Sequence, residues 1–149
     1  MIGTIWILII LFTVIGAWVA TVERAMTMTT PLVLRHEMEI RGTPERGLWI
    51  ESKYETVLQS LIFVKVMCFG YTMIGFVLLF YTEPLTVAAL VTGQTIGIVV
   101  FWFFAAVVAG AIARAVPVSS VTRSWLVIRL TSIVNPFIRW WTEGIAEIA

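Results

Sequence analysis

The sequence predicts an all-α membrane protein, and three observations predict it. Hydrophobic residues make up 60% of the 149-residue chain and charged residues only 13%, with a mean hydropathy of +0.98, well outside the balance of soluble globular domains. Three apolar stretches, roughly 2–22, 57–81 and 85–113, are long enough as helices to cross a hydrocarbon core of about 30 Å. The intervening region 23–56 and the segment 117–145 carry helix-start signals and leave no separate soluble domain. Residues 1–149 therefore read as a single membrane domain. It has three transmembrane helices, a cytoplasmic helical hairpin between the first two, and a C-terminal amphipathic juxtamembrane helix.

The first span has no Lys or Arg before it and is too long for a signal-peptide core, so it is expected to be retained. It ends in "VATVERAMTMTT", where Glu23 and Arg24 mark the boundary. Thr30 and Pro31 then supply an N-cap and a first helical position, and Gly42 closes that short helix. Thr43 and Pro44 repeat the signature, with Glu45 in the first turn where the helix dipole favours a carboxylate. Gly47 weakens this second helix, which is expected to feed into the second span.

Glu83 and Pro84 turn the chain in few residues, making spans two and three an antiparallel hairpin. The third span carries Gly93 and Gly97, then Ala105, Ala109 and Ala113 at spacings of four. Such rows allow close helix approach in a bilayer, either to another span of the same chain or across a dimer seam. Phe101, Trp102, Phe103 and Phe104 circle the same helix, so some of these rings must face lipid or a partner. After Pro117, Ser120, Ser124, Thr131, Asn135 and Arg139 fall near one helical face, while Val118, Val121, Trp125, Ile128 and Leu130 supply an apolar surface. With Trp140 and Trp141 nearby, this predicts a helix at the membrane interface, bent or divided at Asn135 and Pro136. A re-entrant fourth segment is the alternative.

Basic residues fix the expected orientation. Arg24, Arg35, Arg41, Arg46 and Lys53 lie in the first polar region, and Arg114, Arg123, Arg129 and Arg139 follow the third span. The positive-inside bias places the N-terminus outside and the C-terminus in the cytoplasm, in a plasma membrane of bacterial inner-membrane type.

The inventory of chemistry is short. A net charge of +1 without a basic block excludes a nucleic-acid partner. The lone Cys68 permits neither an intrachain disulfide nor a cysteine metal cluster. The chain has no aspartate, and its one histidine, His36, sits in the polar hairpin. No catalytic residue, metal ligand set or cofactor is therefore predicted. The informative residues are polar ones within the apolar stretches: Glu23, Ser60, Lys65 and Gln94. Lys65, inside "SLIFVKVMCF", lies about 12 Å above the start of its span. Its ammonium can pair, snorkel to the headgroups, touch a partner or lipid, or line a transport path. Glu23, Ser60 and Gln94 could form a cation site, whereas Lys65 with Arg114 could attract an anion or a lipid headgroup.

The layout resembles the transmembrane domain of the cyclin-M/CorC magnesium transporter family. Glu23, Ala25 and Met26 match its Glu-x-Ala-Leu element, Gly42 and Pro44 its Gly-x-Pro-like helix start, and Leu58 to Ile62 its "LLSxLL"-like opening of the second span. Pro117 and Pro136 bound "VSSVTRSWLVIRLTSIVN" as that family's proline-bounded helix is bounded. The resemblance implies a magnesium site of serine, backbone and asparagine oxygens, with a glutamate and a Pro-Lys pair late in span three. Those positions fall here on Ala20, on Lys65 or Val66 and Phe69, and around Ala106, Ala109 and Gly110. A hard cation wants oxygen ligands, so the sequence predicts the family's fold without its transport. It predicts a dimeric or accessory subunit of a membrane complex, with the bilayer as its other partner and a divalent cation transporter as the alternative.

Overall fold

Backbone amides inside a bilayer must be satisfied within their own segment, which restricts spanning elements of this composition to helices. The computed structural model describes residues 1–81, 84 and 86–148, and within them the regular structure is helical. The elements in chain order are α1 (Ile2–Met28), α2 (Pro31–Ile40), α3 (Pro44–Ser52), α4 (Tyr54–Leu79), α5 (Val87–Trp102), a π-helical segment (Phe103–Val108), α6 (Ala109–Ala115), α7 (Pro117–Arg123), α8 (Trp125–Thr131), a 3-10 turn (Ser132–Val134) and α9 (Asn135–Ile148). Three of these runs are long and apolar enough to cross a membrane: α1, α4 and the continuous stretch Val87–Ala115. Of the turn expected at Glu83 and Pro84, Glu83 lies outside the described residues, as does Leu85.

The spans meet through missing side chains. A β-carbon on Gly75 would stand 2.6 Å from Ile9 of α1. One on Gly16 would stand 2.6 Å from the Phe101 ring and 3.2 Å from Cys68 Cβ. The α1 and α4 backbones therefore run antiparallel in close contact, with Phe12 stacked on Tyr71 at 4.9 Å between the two glycines. Gly93 brings α5 onto α4 in the same way, its position lying 2.8 Å from Val77 Cα, and Gly97 abuts Met73 Sδ. The glycine row is thus occupied within one chain, which settles that half of the question left open between an internal contact and a dimer seam.

Farther along, the third span changes partner. While α5 lies against α4, α6 lies against α1, where Ala109 and Ala113 are fully buried. Phe103–Val108 makes the transition as a π-helical stretch, and none of its residues is buried. A π-turn inserts residues without breaking the hydrogen-bonded rod, so it rotates the downstream face. Of the aromatic block, Phe101 is buried and Trp102, Phe103 and Phe104 are exposed.

Local signals account for the polar hairpin. The Thr30 hydroxyl accepts the Val33 amide at 3.2 Å, with Pro31 at N1. Gly42 then takes the left-handed conformation, φ 79°, that ends α2. Thr43 departs from its expected capping role, because its hydroxyl donates back to the Met38 carbonyl at 3.2 Å. Gly47, expected only to weaken α3, lets it approach α2: a β-carbon there would lie 2.9 Å from Arg35 Cα. Arg35 and Glu51 tie the two helices at 3.0 Å. A single residue, Lys53, separates α3 from α4.

The main hydrophobic core lies at this end. Val22, Met26, Leu34, Met38, Ile50, Leu61, Val121 and Ile128 pack together from α1, α2, α3, α4, α7 and α8. Each such side chain contributes about 1.5–3 kcal/mol on full burial. The segment after Pro117 is three short helices rather than one, broken at Ser124 and at the 3-10 turn just before Asn135. Its faces also divide differently from the expectation. Val121, Ser124, Ile128 and Thr131 are buried together, and Leu126 and Leu130 point outward. Ser124 tolerates burial because its hydroxyl accepts the Trp18 indole N–H at 2.9 Å.

The glycine contacts make a specific prediction. Gly93→Ala should lower the unfolding free energy in detergent by about 1–3 kcal/mol, the usual cost of overpacking. Gly70→Ala, where nothing lies within 4 Å, should leave the thermal midpoint unchanged or raise it; equal losses at both sites would contradict the close α4–α5 contact.

Candidate functional site: an ion pair between two spans

The antiparallel register of α1 and α4 carries a polar consequence. With Ile9 at Gly75 and Gly16 at Cys68, Glu23 of α1 falls level with Leu61 of α4, one turn from Lys65 and within reach of its side chain. Lys65 Nζ donates to Glu23 Oε2 at 2.7 Å, and the two side chains retain 28% and 16% of their exposure. Below the pair the Tyr54 hydroxyl donates to the Met26 carbonyl, which anchors the foot of α4 to the end of α1. The two ionised residues the sequence placed within the apolar stretches therefore neutralise one another. An unpaired charge near the middle of a span, where Lys65 falls within α4, would cost about 2.5–3.5 kcal/mol on insertion scales.

The other two polar candidates do not join them. Ser60 is fully buried, but its hydroxyl donates to the Thr56 carbonyl of its own helix at 2.9 Å. Gln94 is exposed on α5. Of the small-residue positions, Gly93, Gly97, Ala109 and Ala113 are buried at helix contacts, and Ala105 is half-buried. It lines, with Arg24, Lys65, Phe69, Phe101 and Ala106, a cavity of about 310 Å³ beside the ion pair. His36 is exposed.

The sequence used Arg24 as a boundary marker and as one of the basic residues that set orientation, and the structure gives its side chain a place. Its guanidinium lies over Gly110, with Nη1 3.3 Å from where a β-carbon would stand. The side of the pair facing that cavity is thus cationic: Lys65 and Arg24 against the single carboxylate of Glu23. Thr13 and Thr72 were also missed. Their hydroxyls are buried in α1 and α4 without a hydrogen-bond partner among the described residues. Only the threonine residue type could have hinted at this, since most span threonines bond their own helix, as Thr21 does to the Ala17 carbonyl at 2.7 Å.

Chemically, the arrangement engages the Glu23 carboxylate with an ammonium and sets the pair beside hydrocarbon and aromatic rings. At the positions the family resemblance assigns to ligands, Ala20 is buried, Phe69 packs edge-on against Phe101 at 5.2 Å, and Gly110 underlies Arg24. Among the described residues no three His, Cys, Asp or Glu side chains gather as a metal site would require. Comparison of the chain with protein-family models, with curated proteins and with solved structures finds no match.

Breaking the pair should be costly and coupled. Lys65→Met or Glu23→Gln alone is expected to destabilise the protein in detergent by about 2 kcal/mol, below the ~3–5 kcal/mol of fully buried pairs because both side chains keep some exposure. The double variant should lose much less than the sum of the two, and strictly additive losses would show that the contact contributes nothing.

Proposed function

We propose that this chain is a non-catalytic, integral membrane protein that works by packing rather than by moving ions. In this reading it has the layout of a cyclin-M/CorC transmembrane domain without its cation site, and serves as a dimeric or accessory subunit of a membrane complex. The observation that carries the proposal is the Glu23–Lys65 contact. A fixed ammonium 2.7 Å from the Glu23 carboxylate occupies the place a divalent cation would need, and repels such a cation by several kcal/mol even at an effective dielectric near 20. The exposed rings of Trp102, Phe103 and Phe104 give the third span a broad surface for lipid or a neighbouring subunit. The distribution of basic residues supports an outside N-terminus, a cytoplasmic α2–α3 hairpin and a cytoplasmic C-terminus.

Two measurements test the reading. Proteoliposomes loaded with a magnesium-sensitive dye should take up no more of the ion than empty vesicles, and Lys65→Asn alone should not change that, because Ala20, Ala106 and Ala109 leave no oxygen ligands at the other positions. Flux above the empty-vesicle level that Glu23→Gln abolishes would replace this proposal with cation transport. Light scattering of the protein in mild detergent is expected to give a mass above that of one chain, and a monodisperse monomer would remove the dimer.

A further inference from the structure

The junction of α3 with α8 gathers positive charge around two indole rings. Arg129 lies over Trp49, its guanidinium carbon 4.8 Å from the ring centroid, and reaches Trp125 at 5.9 Å. Arg46 lies over the other ring, Trp125, at 5.3 Å, and the Lys53 ammonium sits 5.5 Å from Trp49. The indoles meet edge to face at 5.3 Å, so the cluster is one body. Cation–ring contacts hold each charge in place, but they do not neutralise it. Glu37, Glu39 and Glu51 pair with Arg41 and Arg35, Glu23 with Lys65, and Glu143 with Arg139. Among the described residues no carboxylate lies within ion-pairing distance of Arg46, Lys53 or Arg129, and neither indole N–H donates a hydrogen bond.

Three cations gathered around two indole rings call for an anion, and the surroundings of Arg129 point to its source. One turn before it, α8 exposes Leu126, and one turn after it the chain exposes Ile133, each about 70% accessible. Apolar side chains that need hydrocarbon thus flank a cation that needs a counter-charge. The boundary between acyl chains and headgroups is where both demands are met, and where tryptophan collects.

We propose that Arg46, Lys53 and Arg129, held by Trp49 and Trp125, form a binding site for the phosphate headgroup of an anionic phospholipid. This goes beyond the packing role proposed above and does not depend on whether the chain transports a cation. Each phosphate oxygen can accept a charge-assisted hydrogen bond from a guanidinium or ammonium. The attraction should weaken as salt screens it.

The test uses the purified full chain in a neutral detergent, titrated separately with dioleoyl phosphatidylglycerol, dioleoyl phosphatidylcholine and inorganic phosphate, and read as the thermal unfolding midpoint. Phosphatidylglycerol is expected to raise the midpoint saturably, with an apparent affinity that falls as salt is added. Arg46→Gln with Lys53→Gln, both at exposed positions, should weaken that response on the order of tenfold, measured as the shift from that variant's own lipid-free midpoint because two cation–ring contacts are lost with the charges. Arg123→Gln, which removes an exposed arginine outside the cluster, should not weaken it. An equal response to phosphatidylcholine, a full response to inorganic phosphate alone, an undiminished response in the double variant, or an equal loss in Arg123→Gln would each overturn the proposal.

Discussion

The close approach of α1 and α4 is the contact on which the rest of the structure depends. Lipid tails are as apolar as leucine, so two spans gain little by hiding hydrophobic area from one another and must gain instead from dense contact and polar complementarity. Gly16 and Gly75 supply the first by admitting Cys68 of α4 and Ile9 of α1 where a larger residue would hold them off, and Gly16 also seats Phe101 of the third span. The register they set supplies the second, since it leaves Glu23 one turn from Lys65, within reach of the lysine side chain. The third span then wedges against both, using glycine against α4 and alanine against α1. At the far end of the same seam, the tyrosine at the start of α4 holds the last turns of α1.

The hydrophobic core proper is displaced to one end of this bundle. Along the apolar stretches the helices can leave large side chains outward, because the surroundings of such a surface are themselves apolar. Where the chain meets water that freedom ends, and Leu34, Met38 and Ile50 must be enclosed by short helices folded back on the spans. This is why a membrane protein with three spans still has a folded polar end with capped helices, a positive-φ glycine and an interhelical ion pair. Arg35 and Glu51 pair across α2 and α3 at this polar end, whereas Glu23 and Lys65 pair between two helices long and apolar enough to cross a membrane.

What could be read from the sequence was what depends on local chemistry. The three spans followed from uninterrupted apolar length, and the start of α2 from Thr30 and Pro31, whose capping geometry needs only residues nearby in sequence. Glu23 and Lys65 were each visible as charges in apolar surroundings, but their contact needed the register of two helices separated by a long polar loop. Gly93 and Gly97 announced a close approach without naming its partner. The π-helical stretch in "FFAAVV" had no signal at all, because the rotation it introduces is demanded by two different neighbours and not by the residues that perform it. The C-terminal segment was misjudged for a related reason. Ser124 and Thr131 look solvent-facing in a helical projection, yet Trp18 and the end of α8 satisfy their hydroxyls inside the protein.

The collar of short helices also gives the molecule a taper. At the end where the chain begins, the described bundle consists of three helices in cross-section. At the opposite end α2, α3, α7, α8 and α9 crowd around the same three, and α8 and α9 turn Leu126, Leu130, Phe137, Trp140 and Trp141 outward. A section through the first end cuts three helices and one through the other cuts several more, so the two ends differ in girth. Shape as well as hydropathy therefore distinguishes the two ends of the bundle, and it does so through short helices that are each too brief to cross a membrane.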